Sequence, residues 1–273
     1  MSAPLSVPPL LIYGCGKMGG AMLKGALAGG WPASRITVVE PHPAAELLTL
    51  QREAGFALNP AEPALAGLML ISIKPQMLDT AAEGLSRCLD AQSVVVSIMA
   101  GKSITDMERR LPQVTRFVRA MPNTPAAIGR GITGAYATEA LSETDRAAVT
   151  RLLETTGRLE WVASEALIDA VTAVSGSGPA YVFHMVEALA KAGETLGLEP
   201  GMAARLARAT IEGAGELLFQ EAETSPAQLR QNVTSPGGTT AAALEVLMGE
   251  NGLTPLMTRA VAAAEARARA LAG

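Results

Sequence analysis

Two patterns of apolar positions divide the chain. Up to about residue 163, short apolar runs alternate with stretches of helical spacing. Leu10-Leu11-Ile12-Tyr13, Ile36-Thr37-Val38-Val39 and the runs 68–73 and 94–98 are nearly unbroken, as buried strands are. Segments 115–120, 131–137 and 159–162 complete the predicted strands. Between them, Met22, Leu23, Ala26 and Leu27 recur at helical spacing, as do Leu47, Leu48 and Leu50 after Pro41 and Pro43. Ser103 is placed to cap a helix with Asp106 in its first turn. Ser142 opens another helix through Val149, Leu152 and Leu153. Strand alternating with helix predicts an α/β fold with a doubly wound, mostly parallel sheet.

From Ser164 onward only helical spacing remains. Segment 167–174 is helical in pattern and halts at Ser175-Gly176-Ser177-Gly178. Pro179, Pro200, Pro226 and Pro255 each stand where a helix opens, and Gly197 where one ends. The expected organisation is a domain of residues 1–163 built on the sheet and an all-α domain of residues 164–273.

Composition narrows the picture. The 273 residues are 49% hydrophobic but only 3% aromatic, so the core must be Ala, Leu, Val and Met. A Gly/Ala-rich helical half buries little within one chain, which predicts that a second copy covers it. Net charge is −4 with no dense Lys/Arg run, which argues against nucleic acid. Cys15 and Cys88 are the only cysteines and lack metal-ligand spacing, so no metal site is expected and a reducing compartment fits. No apolar run reaches the ~18 residues that span a bilayer. The opening residues, Met1 to Pro9, read as a short tail without a basic start. A cytoplasmic protein is expected.

Candidate chemistry clusters in a few turns. Gly14-Cys15-Gly16-Lys17-Met18-Gly19 follows a strand and opens a helix, the context in which G-x-G-x-x-G binds a dinucleotide. The alternative is a glycine-rich turn that binds nothing. Cys15 reads as a small filler, and Lys17 as a cofactor contact or a solvated side chain. Glu40 ends the second strand, where a carboxylate accepts from a ribose 2′-OH and disfavours a 2′-phosphate. Lys74 ends another strand, within reach of phosphate or ribose, or simply solvated. Met121-Pro122-Asn123-Thr124-Pro125 is a rigid loop offering neutral hydrogen bonds. His42 and His184 have bland readings, the first in a turn and the second in a core or interface.

Thr234-Ser235-Pro236-Gly237-Gly238-Thr239-Thr240 precedes the run Ala241 to Leu247, which reads as a helix. Ser or Thr can cap that helix, Pro favours its first turn, and paired glycines allow φ > 0 and close approach. Helix-start N–H groups with hydroxyls and no nearby cation suit a small carboxylate plus one neutral polar atom. The alternative is an ordinary capping turn.

Ile73-Lys74-Pro75-Gln76, the 121–125 loop, Ser175-Gly-Ser-Gly-Pro-Ala-Tyr181 and Ser235-Pro-Gly-Gly-Thr-Thr240 occur in one order and spacing. With them the chain resembles pyrroline-5-carboxylate reductases, from about Leu10 to about Leu271. The resemblance implies NAD(P)H-dependent reduction of 1-pyrroline-5-carboxylate to L-proline, the last step of proline biosynthesis. It implies a Rossmann domain followed by a helical dimerisation domain, with interlocked homodimers that assemble into decamers in some members. Cofactor contacts then fall on Gly14, Gly16, Lys17, Met18, Glu40, Asn59, Lys74, Pro75, Ala100 and Gly101. Substrate contacts fall on Ser235, Gly237, Gly238 and Thr239, with Asn232 and Glu223 near them. Thr240, the implied catalytic residue, meets the ring nitrogen. One departure stands out: where the family often has Ser, Asn or Thr, this chain has Glu40, with no Arg between residues 40 and 45. That leans the expected cofactor from NADPH toward NADH. Two rivals are a hydroxy-acid reductase of the same architecture and a non-catalytic Rossmann scaffold.

Overall fold

The computed structural model describes residues 7–272, so the first six residues of the expected tail lie outside the described residues. Two compact units are present, one of residues 7–176 with 265–272 and one of Ser177–Ala264. The division falls later in the chain than the 163/164 boundary expected from the pattern, and the end of the chain returns to the first unit.

The first unit is an eight-stranded sheet: β1 Leu10–Tyr13, β2 Ile36–Val39, β3 Ala57–Leu58, β4 Leu68–Ile71, β5 Val94–Ser97, β6 Arg116–Met121, β7 Gly131–Ala137 and β8 Gly157–Trp161. Their order is β3-β2-β1-β4-β5-β6-β7-β8. All neighbours are parallel except β6 and β7. Helices α1 Lys17–Ala28, α2 Ala45–Ala54, α3 Leu78–Ser86, α4 Ile104–Arg110, α5 Glu143–Glu154 and α6 Leu167–Val171 complete it. Side chains alternate between two apolar cores. Leu10, Ile12, Leu70 and Val96 face one with Met22, Leu23 and Leu152. Leu11, Met69, Ile71 and Val95 face the other with Leu78, Leu85 and Met107. A parallel strand covered on both faces has no solvent side, which is why β4 and β5 read as continuous apolar runs.

Local signals place the helix starts. Ser103 accepts the Asp106 N–H, and the Asp106 carboxylate accepts the Ser103 N–H, closing a capping box on α4. Ser142 and Asp145 do the same on α5. The run 68–73 stops pairing at Ile71, where the Ser72 N–H turns to the Tyr13 carbonyl at 2.9 Å. β3, absent from the pattern, is a two-residue edge strand held by β2.

α6 belongs with the sheet because it buries onto β6 and β7. Ile168 is buried, and a Cβ at Gly134 would stand 2.6 Å from Val171 Cγ1. Arg119 on β6, 5% exposed, pairs with Glu165 at 3.2 Å and Asp169 at 3.1 Å. A π turn, Thr172–Gly176, follows α6, and the Thr172 and Ser175 hydroxyls donate back to the Ile168 and Val171 carbonyls.

The second unit carries α7 Gly178–Thr195, α8 Pro200–Gln220, α9 Pro226–Asn232, α10 Thr239–Leu247 and the start of α11 Leu253–Ala272. Among its described residues only Ala203 and Ala207 are buried. Large apolar side chains stay exposed on this chain, among them Phe183 at 63% and Val246 at 75%. Among the described residues, no helix is long and apolar enough to cross a membrane.

Candidate active site

β1 carries the chain to the glycine loop at the carboxyl ends of the parallel strands. The three glycines there do different things. Gly14 turns the chain at φ +86° and donates to the Val39 carbonyl at 2.8 Å. A Cβ at Gly19 would stand 2.5 Å from Ser72 Oγ and 2.6 Å from the Gly14 carbonyl, so this glycine lets α1 press onto the loop. A Cβ at Gly16 would meet nothing within 4 Å. Gly16 is also the N-cap of α1 and brings no side-chain cap. Helix-start N–H groups beside open space form a cradle for phosphate. Lys17 is exposed and Met18 half-buried at the start of the helix. A cleft of about 550 Å³ opens beside the loop, lined in part by Gly16, Lys17, Lys24, Ala44 and Glu46.

Glu40 stands at the end of β2 and is tied on both sides. Its carboxylate accepts the Cys15 N–H at 2.8 Å and the His42 N–H at 3.0 Å. Its backbone N–H donates to Asn59 Oδ1 and its carbonyl accepts from Asn59 Nδ2, both at 2.8 Å. The sequence pattern contained no sign of these partners, since Cys15 and His42 take part through backbone groups. The Cys15 thiol is pushed up to about 11, first by burial and then by the neighbouring Glu40 charge, against a smaller opposing effect of Lys24. It is a neutral filler, as expected.

The other cofactor candidates lie on turns of the same unit. Lys74 is exposed and leads into a 3-10 turn, Pro75–Met77, after β4. Ala100 and Gly101 turn the chain after β5. Gly101 has φ +67°, and a Cβ there would lie 2.9 Å from the Leu271 carbonyl. Asn123 is absorbed internally: it donates to the Ser175 carbonyl at 3.2 Å and accepts the Ile132 N–H at 3.0 Å.

In the helical unit, the 234–240 loop departs from its expected capping. Gly238 is the N-cap of α10, with no side-chain cap hydrogen bond, and Pro236 lies ahead of the helix rather than in its first turn. The hydroxyl of Thr234 donates instead to the Arg230 carbonyl at 2.6 Å. The Gly238 N–H closes a turn on the Ser235 carbonyl at 3.0 Å. Of the two glycines only Gly237 has φ > 0, at +69°; Gly238 is extended. An uncapped helix start leaves the N–H groups of Thr239 and Thr240 for an outside acceptor. Ser235 and Thr239 are exposed and Thr240 is half-buried. Asn232 ends α9 and accepts from Gln228 Nε2 at 2.8 Å; Glu223 is exposed in the turn between α8 and α9. His184, expected in a core or interface, is exposed on this chain beside Glu187.

Comparison with known proteins meets this geometry at both ends of the chain. Residues 165–271 match the family model described as pyrroline-5-carboxylate reductase dimerisation. The pyrroline-5-carboxylate reductase of Pseudomonas aeruginosa is 38% identical over 273 residues, covering 98% of each chain. The chain belongs to the pyrroline-5-carboxylate reductase family.

The Synechocystis family member is also 38% identical, over 264 residues, covering 95% of this chain and 97% of that one. Residues 10–101 match a second model, described as NADP oxidoreductase, coenzyme F420-dependent. The solved pyrroline-5-carboxylate reductase of Coxiella burnetii superposes with a TM-score of 0.90 at 33% identity, covering 98% of this chain and all of that one. The Plasmodium falciparum structure, with NADP bound, shares the fold at a TM-score of 0.78 and 24% identity. Membership in this family makes the chain an oxidoreductase with a nicotinamide-nucleotide domain and a helical domain of the dimerising type.

Proposed function

We propose that this protein reduces the C=N bond of 1-pyrroline-5-carboxylate to L-proline, in the cytoplasm, as an interlocked homodimer able to assemble further into a decamer. The observation that carries the reading is the uncapped start of α10 behind the left-handed Gly237. It presents backbone donors and hydroxyls without a cation, matched to a carboxylate beside one polar ring atom. The N–H groups of Thr239 and Thr240 hold the substrate carboxylate, with Gly237, Gly238, Ser235, Asn232 and Glu223 around it. Thr240 hydrogen-bonds the ring nitrogen and orients the imine, and the nitrogen takes its proton from water or through that hydroxyl.

The open space at Gly16 and the uncapped α1 fit a dinucleotide pyrophosphate, with Lys17, Met18, Lys74, Pro75, Ala100 and Gly101 along its length. A nicotinamide nucleotide held there would supply the hydride equivalent that reduction of a C=N bond requires. Glu40 supports a preference for NADH: a carboxylate that accepts from a 2′-OH meets instead a group of roughly −1.5 to −2 charge in NADPH. Lys17 and Lys24 in the adjoining cleft offset part of that repulsion, so NADPH is used more weakly rather than refused. The apolar surface on α7, α8 and α10 supports the dimer, because exposure of Phe183 and Val246 on one chain is relieved by a second.

The test follows oxidation of NADH and of NADPH, each with pyrroline-5-carboxylate, by absorbance of the purified protein. Turnover with both and a higher kcat/KM for NADH is expected. No substrate-dependent oxidation of either cofactor overturns the assignment.

A further inference from the structure

The sheet ends on one side with β3, whose two residues pair with Thr37 and Val38. The ladder does not stop there. The Asn59 N–H donates to the Val38 carbonyl at 2.8 Å, and the next rung is made by the Asn59 side chain. Its Oδ1 accepts the Glu40 N–H and its Nδ2 donates to the Glu40 carbonyl, both at 2.8 Å. One amide thus does the work of two backbone groups and fixes the main chain of Glu40. Asn59 reaches that position at φ +48°, the single non-glycine residue with positive φ among the described residues. Asn tolerates this region better than other residues with a Cβ. Beyond Glu40, the carboxylate spans from the His42 N–H to the Cys15 N–H inside the glycine loop. Glu40 is thus held at both ends, its main chain by Asn59 and its carboxylate by the Cys15 and His42 N–H groups.

We propose that Asn59 is a positioning residue that sets the Glu40 carboxylate against the glycine loop and thereby the choice between NADH and NADPH. This rests on the reading of Glu40 as the carboxylate that meets the ribose 2′-OH. Asn59 then acts on the cofactor through Glu40, with one acceptor and one donor position of its amide already engaged by the protein.

The experiment measures kcat/KM for NADH and NADPH in the parent, Asn59→Gly, Glu40→Ser and the double variant, with a thermal melt of each. Glycine keeps the positive φ and removes only the amide. Asn59→Gly is expected to lower the NADH:NADPH ratio about fivefold, the scale of one hydrogen bond, through KM for NADH with kcat unchanged. In the Glu40→Ser background the same change should leave the ratio alone. Should Asn59→Gly melt too low to assay, Asn59→Ser, which is neutral and too short to meet both the Glu40 N–H and the Glu40 carbonyl, is read for the same shift. A ratio that responds to Glu40→Ser but not to Asn59 overturns the positioning role alone. An equal Asn59 effect in both backgrounds also overturns it, because Asn59 would then act without Glu40. A ratio indifferent to Glu40→Ser overturns the reading of Glu40, and this proposal with it.

Discussion

Gly19 lies so close to Ser72 that a methyl group on its Cα would stand 2.5 Å from the Ser72 hydroxyl oxygen. Gly16, three residues earlier on the same loop, has empty space in that direction and an ordinary φ of −70°. The two glycines therefore predict different failures. Gly19→Ala should lower stability by about 1–3 kcal/mol through overpacking, seen in thermal melts. Gly16→Ala should melt like the parent and raise the cofactor KM by about tenfold or more, ~1.4 kcal/mol. A normal cofactor KM in Gly16→Ala would show that the open space above the loop is not where the pyrophosphate lies.

Cys15 is expected to be chemically quiet despite its place in the glycine loop. With the thiol moved from 9.0 up to about 11, only about one molecule in a thousand carries the thiolate at pH 8. Alkylation at that pH, followed by peptide mass mapping, should label Cys15 in denaturant and spare it in the native protein. The same shift has a stability consequence. The folded state holds this proton more tightly than the unfolded state, so the contribution is full below pH 9 and is lost as pH rises toward 11. Prompt labelling of native Cys15 would contradict its burial.

Thr240→Ala should reduce kcat by about tenfold to a hundredfold, the ~1.5–3 kcal/mol of a hydrogen bond to a charged group. Its KM for cofactor should hardly move. Thr240→Ser, which keeps the hydroxyl at the start of α10, should recover most of the loss. Turnover in Thr240→Ala equal to the parent's removes this hydroxyl from the chemistry.

Gly237, not Gly238, is the residue whose conformation the 234–240 loop depends on. At φ +69° with nothing within 4 Å of an added Cβ, Gly237→Ala meets no clash and only the left-handed penalty of ~1–2 kcal/mol. The loop should shift away from that conformation, raising KM for pyrroline-5-carboxylate while the cofactor KM stays unchanged. Gly237→Asn should suffer less, since Asn tolerates positive φ. Equal substrate KM in the parent and in Gly237→Ala would mean that the carboxylate is held elsewhere.

Much of this molecule was legible in local pattern. The apolar runs at 10–13, 68–73 and 94–98 hold strands because a parallel strand covered on both faces must be apolar nearly throughout. The capping boxes at Ser103 and Ser142 were readable because a cap and its partner lie three residues apart. The glycine loop and the 234–240 turn were readable because glycine's freedom belongs to the residue itself. Tertiary structure decided the rest. It reversed β7 against β6, drew α6 onto the sheet through Arg119, Glu165 and Asp169, and ran β3 on to Glu40 through the Asn59 side chain. It also moved the positive φ to Gly237 and the helix cap to Gly238. Arg119 and Asp169 are 50 residues apart, and Cys15 and Glu40 are 25 apart. Contacts at such separations depend on which faces the packed chain brings together, and periodicity along a segment carries no record of that.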